Sequence, residues 1–147
     1  MNNDAPLDRL AADPGFLLSR VGAAIRAGFK DVLAAWRIRP LQYLILLILQ
    51  AQDGISQQEL CVAAGVDSGN MVELLDGLER LLYVERARDP RDRRRHIVTI
   101  TTLGRSAARE LRKAVEEYNG RFLSPLTDRE RDQLAVTLAK LYVTTLA

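Results

Sequence analysis

The chain has 147 residues, 48% hydrophobic and 27% charged, which suits one domain with a core, or one domain plus a dimerisation arm, and excludes wholesale disorder. A single cysteine, Cys61, rules out an intrachain disulfide and a Cys-rich zinc site, and a single histidine, His96, argues against a His-based metal centre or a Ser-His-Asp triad. Net charge is only +2, so the distribution of charge has to identify partners. The N-terminus, residues 1–5, has neither a basic stretch nor an apolar one, so it is not a secretory signal. The longest apolar run, residues 44–49, is far short of the roughly 20 residues a bilayer requires. A cytoplasmic protein with no membrane partner is expected, with Cys61 a reduced thiol.

Asp13-Pro14 reads as a helix start, a capping residue followed by proline at the first helical position. Leu18, Val21, Ile25, Phe29, Val32 and Trp36 then recur at steps of three and four, which predicts one long amphipathic helix ending near Arg37. Pro40 opens a second helix to about Gln52, apolar nearly all round and therefore buried on several sides. Asp53-Gly54 stops it. Ser56-Gln57-Gln58-Glu59 is a capping box for a short helix that ends at Gly65. Asp67 or Ser68 caps the next helix, with Met71, Leu74, Leu75, Leu78 and Leu81 on one face and Gly69, Val72, Glu73, Asp76 and Arg80 on the other. Two short helices around a Gly-containing turn are a helix-turn-helix signature.

The period then changes. Residues 83–87 and 96–101 alternate like strands, with Val98 and Ile100 on one face. Between them lies a polar loop with Pro90, so a hairpin is expected, and a helix-turn-helix followed by a hairpin is a winged helix. Thr102 begins a helix whose expected buried stripe is Leu103, Ala107, Leu111, Ala114, Tyr118 and Phe122. Ser124-Pro125 breaks it, and Thr127-Asp128-Arg129-Glu130 is a second capping box. The last helix is expected to bury Leu134, Leu138, Leu141 and Tyr142. The fold class is mostly α: a winged helix-turn-helix with a short β-hairpin wing, plus N- and C-terminal helices. The terminal stripes need another surface, and a second copy of the chain is the simplest supply. The organisation expected is an N-terminal dimerisation and core helix over 13–39, a winged helix-turn-helix DNA-binding region over 40–102 (short helix 56–64, recognition helix 68–82, wing 84–101) and C-terminal dimerisation helices over 103–146.

Residues 86–95 hold six arginines and two aspartates, +4 over ten residues. All the cations are arginine, which suits bidentate phosphate contacts and a narrow minor groove. The two aspartates are expected to pair with flanking arginines. A charge run alone is usually a solvated turn; between two strands, just after a helix-turn-helix, it points to nucleic acid.

Asp89-Pro90-Arg91-Asp92-Arg93-Arg94, then His96-Ile97-Val98-Thr99-Ile100-Thr101 and Leu103-Gly104-Arg105, resembles the wing and following helix start of the MarR family of winged-helix transcription regulators. Pro40 through Gln42-Tyr43 is similar to that family's second helix. The resemblance covers roughly residues 13–146. It implies a homodimer joined by the first and last helices, on double-stranded DNA with a pseudo-palindromic operator. It implies recognition helices in adjacent major grooves, wings in flanking minor grooves, and in many members release by a small aromatic or phenolic ligand. Carried over by position, Ser68, Gly69, Asn70, Val72 and Glu73 face bases and phosphates, and Gln57 touches the backbone. Arg86 and Arg91 join the wing contacts. Arg93 or Arg94 is the wing-tip contact and the other pairs with Asp92. Phe16, Phe29, Trp36 and Tyr43 are candidate ligand-cavity residues, with Arg37 or Arg39 holding an acidic ligand or facing water.

One departure matters. The family commonly has a basic residue where this chain has Glu73, and residues 67–79 carry Asp67, Glu73, Asp76 and Glu79 with no Lys or Arg. Asp67 is a cap, and Glu79 can bridge to a basic neighbour. Glu73 and Asp76 oppose the counterion release that drives DNA binding. Either the wing carries most of the affinity, or DNA binding is weak. The expected function is a dimeric, sequence-specific DNA-binding regulator, a repressor released by a small ligand. The alternative is a winged-helix interaction or antagonist module with weak or lost DNA binding. Nothing marks a catalytic pair, a phosphate loop or an activated nucleophile, so the chain is not expected to be an enzyme, and no cofactor or metal is expected. Cys61 reads as a small core hydrophobe. His96 reads as a backbone contact or an exposed residue, and Tyr118 and Tyr142 as dimer-interface packing.

Overall fold

The computed structural model describes residues 12–145, so residues 1–5, read above for a signal, and residue 146 of the expected dimerisation region lie outside the described residues. Helix α1 (Pro14–Ala34) starts where Asp13 accepts the Phe16 N–H at 2.6 Å. It ends three residues before the expected Arg37. Arg37 has left-handed backbone (φ 57°), and the chain turns back so that Ile38 N–H reaches Leu33 O at 3.1 Å. Helix α2 (Pro40–Ala51) follows, with Tyr43, Ile45, Leu46 and Leu49 buried, as its near-continuous apolar sequence requires.

A two-residue strand, β1 (Ile55–Ser56), precedes α3 (Gln57–Ala64) and was not legible from periodicity. Ser56 caps α3, and Glu59 accepts back from the Ser56 N–H at 2.8 Å, closing the capping box. Gly65 takes a left-handed conformation (φ 65°), which glycine adopts without a Cβ penalty, and turns the chain into α4 (Ser68–Arg80). Strands β2 (Val84–Arg88) and β3 (His96–Ile100) form the hairpin. The sheet order is β1-β3-β2, antiparallel, with Ile55 opposite Val98 and Val84 opposite Ile100. Helices α5 (Thr102–Phe122) and α6 (Asp128–Thr144) complete the chain.

The core is centred on α2. Leu33, Leu46, Leu49, Leu60, Met71, Leu75, Leu78, Val98 and Leu111 have no solvent exposure. Among the described residues Gln42 and the α3 cap Ser56 are the buried polar ones. The Gln42 Oε1 accepts the Arg39 N–H at 2.9 Å, and its Nε2 donates to Leu74 O at 3.1 Å, tying α2 to α4. Two expected stripes need correction. On α5 the buried positions are Gly104, Ala107, Ala108 and Leu111, whereas Leu103 is exposed. The cause is local: Gly104 lies against the Tyr83 carbonyl, where a Cβ would overlap it, and this rotates Leu103 outward. On α6 no residue is buried; Leu138, Leu141 and Tyr142 are all exposed. Tyr118 packs within the protomer, donating its hydroxyl to Ile25 O at 3.2 Å across a close α1–α5 approach at Gly28.

Candidate nucleic-acid interface

The reading helix α4 presents its polar face outward from a buried apolar face of Met71, Leu74, Leu75 and Leu78. Asp67 accepts the Asn70 N–H at 3.0 Å and the Asn70 side-chain amide at 2.5 Å. Those bonds hold the Asp67 carboxyl below its ordinary range, so it stays ionised at the positive helix end. Ser68, Gly69, Asn70, Val72 and Glu73 are all exposed on the same solvent-facing surface. Gln57, at the start of α3, is half-buried beside them. It lines a recess of about 520 Å³ with Val72, Glu79, Arg86 and His96.

Arg86 does not stand free for DNA. Its guanidinium is bound to both Asp76 and Glu79, the latter at 2.5 Å, and its backbone N–H donates to Glu79 at 3.0 Å. The Arg86 hydrogen bond holds the Glu79 carboxyl below its ordinary range. Arg86 is therefore a brace between wing and reading helix. This is the bridge to a basic neighbour expected of Glu79, and it also accounts for Asp76, one of the two carboxylates that the bare sequence left opposing DNA. The other, Glu73, pairs with Arg39 at 3.1 Å. Arg39 thus faces α4 rather than a ligand among the aromatics.

The wing tip is built on backbone turns. Asp89 accepts the Arg91 N–H at 2.8 Å and Asp92 the Arg94 N–H at 3.0 Å, while Asp89 N–H reaches across to Arg95 O at 2.9 Å. The expectation that Asp92 neutralises Arg93 or Arg94 is thereby corrected: the aspartates bind backbone amides, which lie closer and need no long side chain to be ordered. Among the described residues, the guanidiniums of Arg91, Arg93 and Arg94 have no carboxylate within ion-pair distance, and all three residues are exposed. Arg95 lies 3.5 Å from Glu59 of α3. The tip thus offers three unshared cations on a short, tied loop, an arrangement suited to phosphate or minor-groove contact.

The candidate ligand residues do not converge. Phe29 and Tyr43 pack edge to face with centroids 6.0 Å apart, and Trp36 lies against the same core. Tyr43 is buried, which pushes its phenol pKa up. Phe16 is thirteen residues from Phe29 along one continuous helix, about 20 Å away at 1.5 Å per residue, and is exposed. The grooves that exist lie elsewhere. One of about 510 Å³ runs along α4 between Arg37, Arg39, Glu73, Gly77 and Arg80, with Gln42 beneath. Another of about 530 Å³ is apolar, between Leu17, Leu18 and Val21 of α1 and Leu134, Leu138 and Leu141 of α6. Cys61 is half-buried in α3, its thiol pKa pushed up chiefly by burial. No helix among the described residues is long and apolar enough to cross a membrane.

Comparison with known proteins agrees with this architecture. The MarR family model matches residues 38–95, the span from the start of α2 to the wing tip. A protein tied by its name to transcriptional regulation of the hcr operon of Thauera aromatica is 31% identical over 134 residues, covering 90% of this chain and 81% of its own length. The transcriptional repressor CouR, solved on a 23-mer DNA duplex, superposes with a TM-score of 0.80 at 30% identity, over 94% of this chain and 98% of that one. The Streptomyces coelicolor regulator PcaV, solved with its natural ligand, gives a TM-score of 0.70 at 25% identity, over 92% of this chain and 96% of that one. With the winged helix, the capped reading helix and the arginine-tipped hairpin all in place, the chain belongs to the MarR family of DNA-binding transcription regulators and is not an enzyme.

Proposed function

We propose that the chain works as a homodimeric, sequence-specific repressor whose wings supply most of its DNA affinity. The observation that carries this reading is the wing tip, where the two aspartates are engaged by backbone amides and Arg91, Arg93 and Arg94 remain unshared. Ser68, Gly69, Asn70, Val72 and Glu73 face the major groove, with Gln57 against the backbone. Arg86 holds the wing at a fixed angle to α4 and takes no direct part in binding. The pairing of Asp76 and Glu79 with Arg86, and of Glu73 with Arg39, removes most of the repulsion that favoured an interaction or antagonist module.

The second copy is argued from the exposed apolar faces of α1 and α6, on Leu17, Leu18, Val21, Val136, Leu138 and Leu141. A small aromatic ligand is proposed as the releasing effector, with no site assigned to it, since Phe16, Phe29, Trp36 and Tyr43 do not converge. The bound ligand in PcaV supports the idea that this fold takes one. The test is titration of the full chain onto its own upstream region and onto unrelated DNA at several salt concentrations, with wild type and R93A/R94A. The double variant removes two cations from each wing of the dimer and is expected to lose at least tenfold in affinity and up to about 4 from the logarithmic salt slope. Equal affinity and slope in the two proteins would overturn the reading.

A further inference from the structure

Four carboxylates lie on or just before α4, and three are committed. Asp67 caps the helix, and Asp76 and Glu79 share Arg86, whose side chain is only 19% exposed. Glu73 is different. Its partner Arg39 comes from the segment before α2, outside both the reading helix and the wing, and the two side chains are 68% and 54% exposed. An ion pair that wet is weakly held and exchanges partners readily. Arg39 also stands with Arg37 and Arg80 around the groove of about 510 Å³ that runs along Glu73, Gly77 and Arg80 of α4. Three guanidiniums and one carboxylate line it, so it carries net positive charge without any bound partner. It follows the helix row next to the Val72–Asp76–Glu79 row that meets Arg86.

We infer that Arg39–Glu73 is a divisible pair and that Glu73 is a base-specificity residue. The inference rests on the DNA-binding reading above. When α4 enters the major groove, a phosphate takes Arg39, seated beside Arg37 and Arg80. The released Glu73 carboxylate then accepts a hydrogen bond from the N4 amino group of a cytosine. The base follows from chemistry. A carboxylate is acceptor only, and guanine O6 and N7 and thymine O4 are also acceptors, so they repel it. Adenine offers its N6 amino group beside the N7 acceptor, whereas cytosine offers a donor with no adjacent acceptor on its own edge. Without DNA the pair masks the charge on the reading face; on DNA the same two residues divide the work between backbone and base.

The test is selection of duplexes from a random library by the full chain, then titration of the enriched sequence and its single-base variants. Wild type is expected to prefer cytosine by roughly tenfold at one position of each half-site. Glu73→Gln, close in shape, shifts that position towards adenine, and Glu73→Arg shifts it to guanine. Arg39→Ala lowers affinity for every sequence and takes about 2 from the salt slope, one for each half-site, while keeping the cytosine. The reversed pair R39E/E73R restores the ion pair yet reads guanine, which a purely structural bridge would not do. The same selected motif from wild type, Glu73→Gln and Glu73→Arg overturns the inference while leaving DNA binding intact. Failure of wild type to retain any duplex at low salt overturns the DNA-binding reading and this inference with it.

Discussion

The DNA-reading half and the helical base treat their apolar residues in opposite ways. In α2 to β3 a core of large aliphatic side chains is out of water, with Ile45, Leu49, Leu60, Leu75 and Leu78 at zero exposure, although Leu41, Val62, Val72 and Leu82 lie on its surface. In α6 none is buried, and Val136, Leu141 and Val143 are each about half exposed or more, as are Leu18 and Val21 on α1. One half is complete within a single chain; the other is an amphipathic scaffold without its second surface. The lesson concerns where stability resides: on the proposed dimer reading, mutations in the first half are expected to act on folding of the protomer, and mutations in the second on association.

The sharpest way to break that comparison is to disrupt the apolar packing of each side in turn. Leu75→Ala leaves a cavity among fully buried neighbours and is expected to cost about 2–5 kcal/mol, independent of protein concentration. Leu138→Asp together with Leu141→Asp should leave the protomer folded but convert it to monomer, with at least a hundredfold loss on a two-half-site operator and little on a single half-site. Analytical ultracentrifugation and chemical denaturation read the two effects. A variant base that still sediments as wild type would mean that α6 is completed by something other than a second copy.

Gly28→Ala is the next largest expected effect, and it probes the packing of α1 on α5 within the helical base. A Cβ at residue 28 would overlap the Tyr118 ring, whose hydroxyl donates to Ile25 O. Overpacking of this kind costs about 1–3 kcal/mol. The companion Gly28→Ala/Tyr118→Phe, which removes the hydroxyl, should recover part of the loss in thermal melts. No recovery would place the strain in α1 itself.

The same division explains what was legible in the sequence. Helix starts were readable because caps are local: Asp13, Ser56, Asp67, Thr101 and Thr127 each bond to an amide three residues on. The wing was readable because its turn chemistry and its strands sit side by side in the chain. The ion pairs that decide the meaning of the acidic reading helix were not. Arg86 reaches Asp76 and Glu79 ten and seven residues back, and Arg39 reaches Glu73 across thirty-four, distances that only the folded arrangement closes. The α5 stripe kept Ala107 and Leu111 but missed at its first position, because Gly104, invisible to a count of apolar residues, and not Leu103 is the residue that touches Tyr83. The exposed apolar face of α6 reads as a buried stripe from periodicity, because periodicity records that a face wants covering and not what covers it.

The smallest expected effect lies in the brace between wing and reading helix, and it is a pH effect with a definite sign. Hydrogen bonding to Arg86 depresses the Glu79 carboxyl in the folded chain. A group depressed on folding adds stability that is fully present above its unfolded pKa and is lost as pH falls through the folded value. The contribution should therefore be complete at pH 6 and fade below about pH 4. Glu79 is a third exposed, so solvent screening keeps it small, roughly 1 kcal/mol. Glu79→Gln should match wild type more closely at pH 3 than at pH 7 when urea midpoints are compared. Arg86→Met should cost somewhat more at pH 7, about 1–2 kcal/mol, because it leaves two carboxylates facing each other across the lost cation. It should also loosen the wing, lowering affinity for DNA through the aim of the wing and not through a contact of Arg86 itself. An Arg86→Met protein with unchanged affinity and an unchanged pH profile would show that the wing is held by the sheet alone. The backbone pairing of β2 with β3 would then suffice to aim Arg91, Arg93 and Arg94.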